Sequence, residues 1–129
     1  MSALDTKTID LTDKNITLHL TLRRATMGDD MRRAMLAANA LQNPLPDQAE
    51  QTVAYLIFPR CVACVSEGSI HWPGHVREDF DVKELTNVEF IALPFELGDA
   101  WMEAALELNP GWDLTPLTEQ KKDEAQKNA

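Results

Sequence analysis

The chain has 129 residues, of which 44% are apolar, and these values favour one domain with a modest core. Its formal net charge is −9, and residues 41–113 alone hold three basic and thirteen acidic side chains. Such a surface repels phosphate backbones, so we expect no nucleic-acid partner; Arg23, Arg24, Arg32 and Arg33 are more typical of solvated faces. Neither a run of about 18 apolar residues nor a basic, apolar leader is present, so we expect a cytosolic protein without a membrane partner.

The N-terminal part of the chain predicts one strand. Residues 1–14 are polar with scattered apolar positions, and we expect a flexible arm there. The following segment, NITLHLTLRR, alternates apolar and polar residues, and a period of two predicts a half-buried strand. Because a single strand is not stable alone, we expect it to pair either with residues 69–72 (SIHW) as a minimal hairpin or with a second copy of the chain.

Most of the remaining sequence predicts helices. Three capping pairs open helical patterns: Thr26 with Asp29, Asp47 with Glu50, and Thr86 with Glu89. The second helix is expected to kink or break at Pro59, with about two more turns before Gly68, and a last helix runs from Pro94 to about Leu108. The sequence therefore predicts a mainly α fold, with one helical domain over 15–113, one short N-terminal strand, and a disordered polar tail over 114–129.

The segment CVACVSEGSIHWPGH contains both cysteines and two of the three histidines, with the spacing C-x2-C-x6-H-x3-H. A zinc site formed by Cys61, Cys64, His71 and His75 would need four converging ligands. The six-residue spacer is shorter than the finger spacing of about twelve, and the cysteines lie in an apolar run. We therefore interpret them as core residues with raised thiol pKa values, expect no metal, and keep a small zinc-binding module as an alternative.

The sequence contains no pattern that favours catalysis. There is no Gly-rich phosphate loop and no H-E-x-x-H motif. Adjacent carboxylates such as Glu78 and Asp79 point apart on regular elements, and a thiol in apolar, acidic surroundings is not activated. We therefore expect a protein that is not an enzyme and that needs no cofactor.

A stripe of methionines marks the first predicted helix. Met27, Met31 and Met35 are spaced at i, i+4 and i+8, with Ala34 and Ala38 beside them. The common use of such a stripe is the core face of the helix. The alternative is a partner-binding surface, because flexible, polarisable methionines adapt to different apolar helices.

The closing helical segment, ALPFELGDAWMEAALELNPGW, combines a Leu-Pro helix start, a helix with a central Trp and acidic positions, and a final Leu-Asn-Pro with an aromatic residue. The segments TMGDDMRRAM and YLIFPRCVA precede it. Together these patterns, over about residues 15–113, resemble the tail assembly chaperones of long-tailed bacteriophages and their prophages.

The resemblance implies a binding protein of viral tail assembly. Such chaperones coat the tape measure protein in the host cytoplasm, keep it soluble and extended, and release it when the tail tube (major tail) protein polymerises; they are absent from the mature virion. A programmed ribosomal frameshift often makes a longer form, and Lys121-Lys122 is where we expect a slip site. Expected partners are therefore the tape measure protein, the tail tube protein, the frameshifted longer form and further copies in a homo-oligomer.

We assign five candidate partner-binding residues: Met27, Met31, Arg32, Met35 and Trp101. The main alternative function is that of a minor structural or tail-completion protein of the virion. The zinc-binding module is the second alternative.

Overall fold

The predicted strand lies inside a sheet of four antiparallel strands. The computed structural model describes residues 5–114 of the chain. The strands follow one another in the order β1-β2-β3-β4, each paired with the next. Their bounds are β1 (Thr6–Asp13), β2 (Ile16–Arg23), β3 (Val65–His71) and β4 (Asp79–Asp81).

Strand β1 corrects the expected flexible arm. It pairs with β2 along its whole length, so the domain begins before residue 15. Lys14 and Asn15 form the connecting two-residue turn, with φ of 50° and 69°, as a type I′ hairpin turn requires. The sequence of β1 gives a weak strand signal, because its half-buried positions include charged Lys7 and Asp13 as well as Ile9 and Leu11.

Strand β3 corrects the predicted helical extension to Gly68. The helix before it ends at Ala63, and the chain then returns along β2. The expected pairing within the chain is confirmed for Ser69, Ile70 and His71, which pair with β2. The expected minimal hairpin is wrong, because the helices over residues 27–63 separate the two strands in the sequence. The short apolar run that ends at Val65 is compatible with either a helix or a strand, and the available pairing with β2 decides between them.

Among residues 5–114, three of the five α-helices begin directly after the predicted capping residues Thr26, Asp47 and Thr86. The five helices are α1 (Met27–Gln42), α2 (Gln48–Thr52), α3 (Phe58–Ala63), α4 (Asn87–Ile91) and α5 (Phe95–Leu108), with 3₁₀ turns at Val82–Glu84 and Pro110–Trp112. A π-helical turn, Val53–Ile57, joins α2 to α3 just before Pro59. Proline cannot donate a backbone hydrogen bond, and local widening of the helix accommodates it.

The core lies between one face of the sheet and the helices. The α5 helix packs on β1 and β2, and α1 packs on α3 and the π-helical turn. The fully buried side chains at this interface include Leu18, Leu20, Leu22, Ile70 and Trp101. The fold is therefore mixed α and β, and the prediction of a mainly α domain with one strand was wrong. The predicted tail lies outside the described residues from Thr115 onward.

We predict that Gly68→Ala destabilises the fold. A Cβ atom at this position in β3 would lie 2.7 Å from the carbonyl oxygen of His19 and 2.9 Å from Cδ2 of Leu20. Strand β2 must move to make room, and overpacking of this kind costs about 1–3 kcal/mol. Chemical denaturation should detect this loss in the free energy of unfolding.

The matched control is Gly111→Ala, because no atom lies within 4 Å of a Cβ atom built there. If both variants unfold at the same denaturant concentration as the parent chain, the prediction that β3 is too close to β2 to accept a Cβ atom at position 68 is wrong.

Candidate functional site

The candidate surface is carried by α1, whose start is set by a complete capping box. The Thr26 hydroxyl accepts a hydrogen bond from the Asp29 backbone N–H at 3.1 Å, and the Asp29 carboxylate accepts one from the Thr26 backbone N–H at 3.0 Å. These bonds satisfy donors that the first turn of a helix otherwise leaves unpaired. The predicted N-cap pair is therefore confirmed.

Asp29 also joins α1 to the sheet. Its buried carboxylate accepts two hydrogen bonds from Arg23 at the end of β2, from Nε at 2.9 Å and from Nη2 at 2.8 Å. Arg32 Nη1 donates a third at 3.1 Å. The hydrogen bonds from Arg23, with help from Thr26 and Arg32, outweigh the opposing effect of burial and hold the pKa of Asp29 well below its usual range. The helix is thus fixed with Asp29 directed inward.

The methionine stripe consequently faces outward. The exposed fractions of Met27, Met31 and Met35 are 85%, 58% and 65%. Ala34, Ala38 and Leu41 are also exposed and continue the same side of the helix. We call these six residues the methionine face. The interpretation of the stripe as the core face of α1 was therefore wrong.

Leu41 extends this face by one turn beyond the predicted residues. It lies at i+3 from Ala38, so the helical spacing of the sequence could have indicated it. The opposite side of α1 holds buried Ala40 and half-buried Leu36, which pack toward α3 and the π-helical turn.

Arg32 lies at the border of the methionine face. Its side chain is about half exposed (55%) and points one nitrogen, Nη1, to Asp29 and toward the Ala63 carbonyl at 3.5 Å. On a helix Arg32 neighbours Met35 at i+3. The structure therefore places three of the predicted methionines and Arg32 on one accessible part of the molecule, while their role in binding stays a prediction.

Trp101 does not belong to this surface. Its exposed fraction is 0%, and its Nε1–H donates to the Cys61 carbonyl at 3.0 Å. Its ring meets Phe90 edge to face, with 5.4 Å between centroids. The assignment of Trp101 as a partner-binding residue was wrong. A large aromatic side chain on an amphipathic helix stabilises the fold most when its apolar area is buried in the core.

The zinc alternative finds no converging ligand set. Cys61 and Cys64 are buried in the core, as interpreted from the sequence, and burial raises the pKa of both thiols, that of Cys64 to about 12. His71 lies on the solvent face of β3 and bonds Asp79 at 2.6 Å, whereas His75 bonds Glu89. Residues 5–114 contain no group of three or more His, Cys, Asp or Glu side chains placed to hold a metal ion.

A second apolar surface was missed from the sequence. A groove of about 230 Å³ lies between the π-helical turn, α4 and α5, and its walls include Val53, Ile57, Ile91, Phe95 and Met102. Phe95 is 76% exposed at its edge. These residues come from three separate segments, so only the tertiary packing reveals the groove.

Comparisons with protein-family models, with curated proteins and with solved structures give no match to this chain. Over the part of the chain that the structure describes, no helix is both long and apolar enough to cross a bilayer.

A polar cluster ties the β3–β4 loop to the start of α4. Glu89 accepts hydrogen bonds from His75 at 2.5 Å, from Arg77 at 2.8 Å and from the Thr86 backbone at 3.0 Å. Burial alone would raise the pKa of Glu89, but these bonds prevail and lower it from 4.5 to about 2.

We predict that part of the chain's acid sensitivity comes from Glu89. A carboxylate with a lowered folded-state pKa stabilises the fold above pH 4.5 and loses that contribution as the pH falls toward 2. In Glu89→Gln the free energy of unfolding should therefore fall less steeply between pH 5 and pH 2 than in the parent chain. Denaturant titrations at four pH values measure both slopes.

Glu103→Gln is the control, because Glu103 is exposed on α5 and has no ion pair among residues 5–114. Equal slopes for the parent chain and for Glu89→Gln would contradict the assigned role of Glu89.

Proposed function

We propose that this protein is a tail assembly chaperone that binds the tape measure protein of a long-tailed phage. It holds this client soluble and extended in the host cytoplasm and hands it to the polymerising tail tube protein. It acts by binding alone and uses no catalytic chemistry. The resemblance of residues 15–113 to that family is the source of the proposal, and the methionine face is the observation that supports it best.

The methionine face has the properties that a changing helical client requires. It presents three flexible, polarisable methionine side chains along about two and a half turns of one helix, and with Ala34, Ala38 and Leu41 the face extends over about four turns. When a client helix binds, its apolar side is transferred from water to this face, and this burial lowers the free energy of the complex. Because methionine side chains adapt their shape, unlike segments of one long client can use the same surface.

The acidic surface supports the same role. The exposed side of α5 carries Glu96, Asp99, Glu103 and Glu107, and residues 41–113 have a formal charge of −10 from thirteen acidic and three basic groups. Many copies bound along one client repel one another through this charge, and the assembly stays soluble. The proposed frameshifted longer form would begin near Lys121-Lys122, which lies outside the described residues.

We predict that Met31→Glu with Met35→Glu impairs client binding and leaves the fold intact. Both side chains are exposed, so the free energy of unfolding should change by less than about 1 kcal/mol. Charges on this face must lose water when the client binds, which weakens the complex. The measurement is the soluble fraction of a tape measure protein co-expressed with each variant.

Val88→Glu is the matched control, since Val88 is 59% exposed on α4, close to the 58% of Met31. It should rescue the client as well as the parent chain does. A double variant that rescues equally well would remove the methionine face from the proposal.

A further prediction separates the chaperone from a structural protein of the virion. Mass spectrometry of purified phage particles should find the tail tube and tape measure proteins and lack this chain. If this chain is present in a fixed number of copies in each finished particle, it is a structural component and the chaperone proposal is wrong.

A further inference from the structure

A cavity of about 290 Å³ opens beside α1, on the flank of the methionine face. Three cationic side chains line it: Arg23 from the end of β2, Arg32 from α1, and Lys83 from the 3₁₀ turn after β4. Its apolar walls include Phe58, Val62 and Leu85. We call it the basic pocket.

The cations of the basic pocket outnumber the carboxylates that pair with them. Among residues 5–114, Asp29 is the one carboxylate in an ion pair with these cations, and it is shared by Arg23 and Arg32. The Lys83 ammonium has no ion-pair or hydrogen-bond partner in the described part of the chain, although the Lys83 backbone N–H donates to the Asp81 carboxylate at 2.8 Å. The three lining cations and Asp29 together carry a formal charge of +2, in a chain whose total is −9.

Donor groups are also left over at this site. Arg23 uses Nε and Nη2 for Asp29, and Arg32 uses only Nη1. Within the described residues, Nη1 of Arg23, Nε and Nη2 of Arg32, and the Lys83 ammonium have no protein acceptor. Because the buried Asp29 already orders both guanidinium groups, an incoming carboxylate meets donors whose positions are partly fixed.

We propose that the basic pocket binds an acidic side chain of the client together with an apolar side chain one helical turn away. The carboxylate would meet Arg32 and Lys83 while the apolar side chain contacts Phe58, Val62 and Leu85. This inference rests on the proposed function and deepens it, because it specifies acidic amphipathic segments as the client sequences that this surface selects.

The net negative charge of the chain and the cations of the basic pocket have opposite effects on which clients bind. Which effect is larger depends on the distance between the client's charges and those of the protein. The net charge of −9 favours basic clients at long range. At physiological ionic strength, however, charges separated by more than about 8 Å are largely screened. A client helix lying on the methionine face brings its charged side chains next to Arg32, so the local +2 prevails.

The test uses the full chain and three labelled amphipathic peptides of 14 residues. They share leucine and phenylalanine anchors at i, i+3 and i+7 and differ only at i+4, which holds glutamate, glutamine or lysine. Fluorescence anisotropy in 0.1 M salt should give the glutamate peptide about fivefold tighter binding than the glutamine peptide, and the lysine peptide the weakest binding. This preference should shrink in 0.5 M salt.

Variants of the chain assign the preference to the pocket. Lys83→Gln and Arg32→Gln should each reduce the preference for glutamate about threefold, and Lys83→Glu should abolish it. Lys14→Gln is the matched control, because Lys14 lies in the turn at the opposite end of β2 from Arg23 and should leave the preference unchanged. Amide signals of Ser66 and Leu85, which line the cavity, should shift in NMR spectra when the glutamate peptide binds.

Several results would overturn the inference. A glutamate preference that survives in Lys83→Glu, or tighter binding of the lysine peptide than of the glutamate peptide to the parent chain, would contradict the role of the pocket cations. Failure of all three peptides to bind would also overturn the inference. So would binding of octanoate, a small fatty acid used as a probe, in the absence of binding by the glutamate peptide, because the pocket would then be a small-molecule site. The proposed function fails separately, because it is judged by client rescue and by Met31→Glu with Met35→Glu. Loss of the glutamate preference with intact client rescue would overturn the inference alone.

Discussion

The orientation of the candidate binding surface depends on the hydrogen bonds of the buried Asp29 carboxylate. One side chain caps α1, accepts two hydrogen bonds from Arg23 at the end of β2 and a third from Arg32. A buried charge is tolerated only when it is paired and fully hydrogen-bonded, so this geometry has few alternatives. It sets the rotation of α1 about its axis, and that rotation turns the methionine face to solvent. It also orders the two arginines that border the basic pocket.

The surface of this domain combines an exposed apolar helix face with a high density of acidic side chains. An exposed apolar helix face invites self-association, and a strongly acidic chain opposes it by repulsion between copies. Here the methionine face and the acidic side of α5 belong to the same small domain. The proposed chaperone role needs this combination, because such a protein must offer apolar surface to its client and remain soluble while many copies gather on that client. The basic pocket would add selection among client segments to this otherwise adaptable surface.

The elements that the sequence predicted correctly carry strong local signals. Strand β2 alternates without interruption, and the capping boxes at Thr26 and Thr86 are both formed. The elements that it did not predict carry conflicting signals. In β1 the inward positions include Lys7 and Asp13, and in β3 a bulge and Gly68 interrupt the apolar period. Both strands pair with β2, and α5 packs on β1; these contacts join segments that are far apart in the sequence, so the local pattern does not report them.

By itself the sequence determined the starts of α1, α2, α4 and α5, the half-buried strand, the charge distribution and the burial of Cys61 and Cys64. Each follows from composition or from spacing within one segment. Only the tertiary structure decided which apolar residues are free to bind a partner. Trp101 and the methionines of α1 both lie on amphipathic helices, yet one is enclosed and the others are exposed. The physical reason is that burial depends on what packs opposite a helix face, and a periodic pattern specifies a face without specifying what covers it.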